Sequence, residues 1–357
     1  MPDPIAAAPK VMLGCRNLWK VFGRVPGYYF DTAGYSIDAE ALANRLRAEG
    51  HIPAVIDASF DVHEGEIFVI MGLSGSGKST LVRCLSRLLD AEHGTIAFDG
   101  LNLRTAGART LIEIRRKKMG MVFQSFGLLP HLSALENVAF PLKLQGVGRA
   151  MREARAQEML DLVELGNRAG ALPSELSGGQ QQRVGIARSL ATDPDLWFLD
   201  EPFSALDPLI RRQMQDEFLR LQRQLKKTIV FITHDIMEAC RLADRIALMR
   251  GGRIIQIGTP AQILLSPADS YVADFTAEVA LSRAICVADL AEQAEGDCAD
   301  GMPVKADTPI EALLPAIAEG RQRFAVTGGT PGAAEMVVTA QSILAVLRRD
   351  AQHAALP

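Results

Sequence analysis

Residues Gly72-Leu73-Ser74-Gly75-Ser76-Gly77-Lys78-Ser79 follow the apolar run Glu66 to Met71 and precede a segment with Leu81, Leu85 and Leu88 at helical spacing. Strand, glycine turn and helix in that order constrain the fold strongly, because the strand needs neighbours in a sheet and the helix must cover it. The glycines let the backbone curl so that its N–H groups point inward, and the following helix adds the positive end of its dipole. Such a cradle suits phosphate. In this pattern Lys78 neutralises the β- and γ-phosphates and the Ser79 hydroxyl ligates Mg²⁺. Gly72, Ser74, Gly75, Ser76, Gly77 and Thr80 belong to the same loop and are candidate nucleotide contacts.

Five further segments occur in a fixed order behind this loop. Gln124 follows Met119-Gly120-Met121-Val122-Phe123, and Leu176-Ser177-Gly178-Gly179-Gln180 opens a helical stretch. Leu196-Trp197-Phe198-Leu199-Asp200-Glu201 is an apolar strand ending in two carboxylates. Ser204-Ala205-Leu206-Asp207 comes next, and Thr228 to Thr233 is another buried strand, ending at His234-Asp235. In this order the motifs resemble those of the ATP-binding cassette family, and the resemblance covers about residues 11 to 275.

The resemblance implies a P-loop NTPase fold of the α/β class. Its parts are a mostly parallel core sheet, an antiparallel N-terminal β part and a helical subdomain, with ATP and Mg²⁺ as ligands. By the same resemblance Gln124 is the Q-loop glutamine, counted among the catalytic and metal-contacting residues. Asp200 holds Mg²⁺ through water, Glu201 is the acid beside the attacking water, and His234 is the switch histidine. Ser177, Gly178, Gly179 and Gln180 contact the γ-phosphate held by another cassette's phosphate loop, with Asp207 in the D-loop. Lys78 is both catalytic and nucleotide-binding. Phosphoryl transfer to water asks for positioned charge rather than covalent chemistry, and these residue types supply it.

Composition agrees with such a machine part. The chain has 357 residues, 48% of them hydrophobic. That suffices for a packed core, yet no apolar run approaches the roughly 20 residues needed to span a bilayer. Met1-Pro2-Asp3-Pro4 lacks the basic start and apolar stretch of a secretion signal. Cys15, Cys84, Cys240, Cys286 and Cys298 are scattered without a paired spacing, which points away from zinc or a disulfide framework. The net charge of −4 gives no nucleic-acid footprint. Arg115 to Lys118 reads as a solvated helix end.

The expected division is a cassette over 1–275, with an insertion over 24–53 and the helical subdomain over 125–190. A linker over 276–301 and one degraded repeat of cystathionine-β-synthase (CBS) type over 302–350 follow. Helical periodicity from Met151 to Leu165 ends at the break Gly166 to Pro173. The loop Ser125 to His131 corresponds in the family to the surface that grips a membrane subunit, with ordinary packing as the alternative. Phe22, before Gly23, is the candidate adenine-stacking aromatic, and Trp19 is the alternative. The insertion holds Tyr28, Tyr29 and Tyr35, three of the chain's four tyrosines, and is expected to be ordered. Ser36 or Asp38 caps a short helix through Leu42 and Leu46 that Gly50 ends. Beyond residue 276, strands over 303–306, 323–327 and 336–339 alternate with helices over 309–318 and 342–347. Thr339 is followed three positions later by Ser342 rather than an acid, so this repeat reads as packing or dimerisation at least as readily as a nucleotide site.

The insertion, with Val122 to Phe126 and Phe203 to Arg211, resembles the ATPase subunits of glycine betaine, proline betaine and choline importers. That implies a homodimer of cassettes joined to multi-span permease subunits, and indirectly to a substrate-binding protein, as a peripheral protein on the cytoplasmic face of the inner membrane. A cassette for another cargo is the nearest alternative. A soluble cassette protein acting on nucleic acid or ribosomes is the alternative of another class. The absence of long heptad coils between the nucleotide motifs, and of a second motif set, argues against it.

Overall fold

The computed structural model describes residues 9–24, 27–31, 38–122, 127–204, 206–293, 301–327 and 336–354. The chain divides into two compact units, Met1–Asp235 with Leu242–Ile255, and Ile236–Arg241 with Gln256–Pro357.

The first unit is organised by a six-stranded sheet. Its strands β3 (Ile67–Met71), β7 (Leu196–Asp200) and β8 (Thr228–Thr233) are buried along their whole length. Continuous apolar runs rather than alternation mark strands covered on both faces, which is the condition of a parallel sheet. With β6 (Met119–Val122), β9 (Arg245–Arg250) and β10 (Arg253–Gly258) the order is β10-β9-β3-β8-β7-β6, and the pairs β9·β3, β3·β8, β8·β7 and β7·β6 are all parallel. A second, antiparallel sheet has the order β2-β1-β4-β5. It comprises β1 (Val11–Phe22), β2 (Ile52–His63), β4 (His93–Phe98) and β5 (Leu101–Asn102). The expected P-loop NTPase fold, with its mostly parallel core and antiparallel N-terminal part, is what the chain adopts.

Between β1 and β2 the insertion forms α1 (Tyr28–Asp31) and α2 (Ala39–Ala48). Asp38 supplies the cap, accepting from Glu40 N at 3.1 Å, and Gly50 follows the last turn with φ +81°. Ser36 and Tyr35 lie outside the described residues. Leu42, Ala43 and Leu46 bury against Trp19, Val21 and Ile56, with Tyr29 and Phe30 beside them. Trp19 meets Phe30 edge-on at 5.5 Å.

α3 (Lys78–Leu85) follows the phosphate loop, and α4 (Ala108–Lys117) ends in the basic run expected to be solvated. There Lys117 pairs with Glu113 and Lys118 with Asp195. The helical part is α5 (Ala134–Leu144), α6 (Arg149–Leu162) and α7 (Gly178–Leu190). Ser133 and Glu136 close a capping box on α5. Fully buried Asn137 accepts from Leu129 N at 2.8 Å and donates to Leu129 O, Leu132 O and Ser133 O, fixing the preceding loop to the helix. After α6, short 3₁₀ turns at Gly166–Arg168 and Pro173–Glu175 occupy the expected break. α8 (Pro208–Leu225) buries Met214, Phe218 and Leu221, the apolar stripe its sequence carries.

The second unit gathers α9 (Ile236–Leu242) for most of its length, α10 (Pro260–Leu265), α11 (Ser270–Thr276) and α12 (Leu281–Ala284) around a small sheet. That sheet has the order β11-β14-β13-β12, from β11 (Glu292–Gln293), β12 (Met302–Lys305), β13 (Arg323–Thr327) and β14 (Met336–Thr339). α13 (Leu314–Ala318) and α14 (Ala340–Ala354) complete it. Ile285, Val287, Ile310, Leu313, Phe324, Val338 and Ile343 form its core together with Ala261 and Leu264. Thr339 Oγ1 accepts from Ser342 N at 3.1 Å and so caps α14, the use its position favours once the acid is missing.

Candidate functional site

The phosphate loop takes its shape from two close approaches. Gly72 has φ +147° and Gly77 φ +102°. A Cβ on Gly72 would stand 2.2 Å from Met249 O, and one on Gly77 2.2 Å from Ala54 O, so neither position admits a side chain. The loop is also tied from outside, Gly252 N donating to Ser76 O at 3.0 Å and Ile56 N to Gly252 O at 2.8 Å. Ser74 and Gly75 are exposed at its tip, while Ser76 is buried and its Oγ has no partner. Thr80, in the first turn of α3, is half-buried.

Lys78 is buried and spans the loop, donating to Gly72 O at 2.8 Å and Leu73 O at 3.1 Å. Burial lowers its ammonium pKa, partly offset by Glu201 and Asp200. Asp200 is pushed the other way: burial raises its carboxyl pKa, while the bond from Ser79 and nearby Arg83 and Lys78 pull it down. Each group is held in a place that disfavours its charge, so an anion beside Lys78 and a cation beside Asp200 relieve both. Ser79 Oγ donates to Asp200 Oδ1 at 3.1 Å, joining residues 121 positions apart, one in the first turn of α3 and one at the C-terminal end of β7.

Glu201 leaves β7 in the left-handed region, φ +46°, which costs on the order of 1 kcal/mol outside glycine. Its N–H bonds Ile232 O at 3.1 Å, on the strand that ends beside His234. His234 Nδ1 lies 3.2 Å from Glu201 Oε2, so the two residues meet. Ser204 Oγ donates to Glu201 O at 3.0 Å. Asp207 Oδ1 accepts from Ile210 N at 3.1 Å and caps α8. The signature residues cap α7: Ser177 Oγ accepts from Gln180 N at 3.3 Å, and Gln180 Oε1 from Ser177 N at 3.0 Å. Ser177 and Gly178 remain exposed, and Gly179 is half-buried. Gln124 lies outside the described residues.

Of the two aromatics, Trp19 is 4% exposed and Phe22 41%. Trp19 is enclosed by the insertion helices and has no face to offer a base. Phe22 has one. Lys20 Nζ stands 5.0 Å from the Phe22 ring centroid while pairing with Glu92 at 2.8 Å in a nearly buried ion pair. The sequence reading missed this pair, and Arg211 as well, which donates to Phe203 O at 3.2 Å and Leu206 O at 3.1 Å and so holds the turn after Glu201. No local pattern distinguishes such cations from surface ones.

Among the described residues no cluster of three or more His, Cys, Asp or Glu forms a metal cage. Ser79 and Asp200 instead offer hard oxygens beside a phosphate cradle, the donor set that suits Mg²⁺ shared with substrate phosphates. The arrangement suits the binding of a nucleotide.

Residues 55–204 match the family described as ABC transporter. The chain is 56% identical over 304 residues to the trimethylamine N-oxide transport system ATP-binding protein TmoW of Ruegeria pomeroyi, covering 85% of this chain and 87% of that one. It is 47% identical over 283 residues to the glycine betaine/proline betaine transport system ATP-binding protein ProV of Salmonella typhimurium, covering 79% and 70%. Among solved structures, a dimeric ATP-binding cassette in a post-hydrolysis state with ADP and Pi is 33% identical, with a TM-score of 0.57 over 70% of this chain and 99% of that one.

Proposed function

The chain belongs to the ATP-binding subunits of ABC transport systems, and on that premise we propose that it energises uptake of small osmolytes with a fully substituted nitrogen. These are quaternary betaines, choline and trimethylamine N-oxide. ATP hydrolysis is its chemistry, and cargo passes through a separate multi-span permease fed by a substrate-binding protein. The observation that carries the cargo class is the extent of likeness to TmoW and ProV, which spans most of both chains.

Two copies close face to face on ATP at the cytoplasmic side of the membrane. In each site Lys78 and the loop N–H groups hold the phosphates, Ser79 and Asp200 hold Mg²⁺, and Glu201 orients water with His234 beside it. Ser177 and Gly179 of the other copy complete the site, and the exposure of Ser177 supports that reading. Phe22 stacks on adenine. Gln124 is assigned to the metal by the family resemblance alone. A groove lined by Met121, Phe140, Pro141 and Leu144, with Arg115 and Arg188 at its rim, supports the permease contact at the loop Ser125 to His131. Arg188 also donates to Gly127 O at 2.6 Å within that loop. The chain divides functionally into a cassette over 1–275 and, after a linker, a CBS-like repeat over 302–350 that serves packing or dimerisation.

The test is uptake by proteoliposomes containing the complex with its cognate permease and binding protein, with trimethylamine N-oxide, glycine betaine and choline as labelled cargo. ATP-dependent uptake of at least one is expected. Transport of a sugar or phosphate instead, with none of the three amines carried or competing, would overturn the cargo reading.

A further inference from the structure

Phe22 and Ile52 are antiparallel partners where β1 ends and β2 begins, and both are exposed, Phe22 to 41% and Ile52 to 65%. The neighbouring pair, Val21 and Pro53, is buried. Side chains directly opposite in a ladder share a face and successive ones alternate, so Phe22 and Ile52 stand side by side on the open face. A lone exposed apolar side chain is ordinary, whereas two adjacent ones that run into a ligand cradle make a platform. The same strand leads to that cradle. Between the pairs Lys20 with Val55 and Val21 with Pro53 the register slips by one residue, a bulge at Ala54. The Ala54 carbonyl closes against Gly77 of the phosphate loop so tightly that no Cβ fits there. Ile52 is two residues, about 7 Å along the strand, from that contact. On the inner side of Phe22, nearly buried Lys20 sits with Nζ 5.0 Å from the ring centroid. Glu92 fixes it there and also accepts from Val21 N at 2.7 Å. An ammonium held against one face of the ring leaves the other face to a ligand.

We propose that Ile52 is a second base-contacting residue: the purine of the bound nucleotide lies across Phe22 and Ile52 together, stacked on the Phe22 ring and covering the Ile52 side chain with its edge. Two fused rings exceed one benzene ring in area. Ile52 supplies the apolar surface beside Phe22, on the strand that reaches the phosphate loop. Lys20 backs the Phe22 ring from beneath. This rests on the reading that Phe22 stacks on adenine while the phosphates are held at Lys78.

The experiment is a calorimetric titration of the full chain and of Ile52→Thr, Ile52→Leu and Phe22→Ala with ADP, which is not consumed, and with inorganic pyrophosphate, which has no base. Ile52→Thr keeps the β-branched shape at an exposed position, so Tm should stay within about 2 °C of the parent. Its affinity for ADP should fall about three- to tenfold, the worth of part of an isoleucine's apolar contact. Affinity for pyrophosphate should not change, and Ile52→Leu should bind ADP nearly as the parent does. In the Phe22→Ala background Ile52→Thr should cost less than about twofold, because the two residues act as one surface. If Phe22→Ala weakens ADP binding but Ile52→Thr does not, or loses pyrophosphate equally, Ile52 touches no base and the proposal is wrong. If Phe22→Ala itself binds ADP as the parent does, the stacking reading fails first and takes this proposal with it.

Discussion

His234 Nδ1 stands 3.2 Å from Glu201 Oε2, although the two residues lie on turns after different strands. Adjacent parallel strands β7 and β8 end side by side, and the left-handed turn at Glu201 brings its carboxylate to the imidazole. Replacing Glu201 by Gln keeps shape and removes the charge that, on the proposed reading, polarises water. Steady-state hydrolysis should fall by roughly 10²- to 10⁴-fold, the usual worth of a general base, while equilibrium ATP binding persists. A normal rate would show that Glu201 is not the acid at the water.

The exposures of Phe22 and Trp19 predict opposite phenotypes. Phe22→Ala should weaken ATP binding several-fold in a fluorescent-nucleotide titration and leave Tm nearly unchanged. Trp19→Ala empties a core site shared with Leu42 and Leu46 and should cost about 3–5 kcal/mol of stability by denaturant unfolding. Retained affinity in Phe22→Ala would remove it from the base site.

Gly77→Ala places a methyl 2.2 Å from Ala54 O at φ +102°. The loop cannot keep its curl, so the N–H groups lose the phosphates. ATP affinity should drop at least about tenfold, one step of 1.4 kcal/mol, as read by calorimetry. Gly75→Ala has open space around its Cβ, and only the φ of +79° opposes it, so its loss should be smaller.

Burial pushes the Cys84 thiol up to about 12 and the Cys15 thiol higher still. Thiolate is the reactive form, so raised values mean protection below them: at pH 8 only about 10⁻⁴ of Cys84 is ionised. Folded protein treated with iodoacetamide at pH 8 should leave Cys15 and Cys84 unlabelled by peptide mass mapping, and denatured protein should label both. Labelling in the native state would show that the β1–α3 core opens readily.

The strands, the helices after the phosphate loop and the motif order were legible in the sequence because each is written in neighbouring residues. Continuous apolar runs at 67–71, 196–200 and 228–233 foretell buried parallel strands, and Gly72 to Ser79 carries its own turn chemistry. The C-terminal alternation of strands and helices was equally readable, since period and breakers are local signals. Tertiary structure alone decided which groups meet. Ser79 reaches Asp200, and Lys20 finds Glu92 below Phe22, across chain separations that no local period encodes. It also set the two aromatics apart in exposure, because the insertion helices fold over Trp19 and leave Phe22 partly open. Gln182 is the sharpest case: in sequence it is one more polar residue in a glutamine run, and only packing strips its amide of water and of partners. Burial and long-range contact are sums over the whole fold, and the sequence near a residue does not contain them.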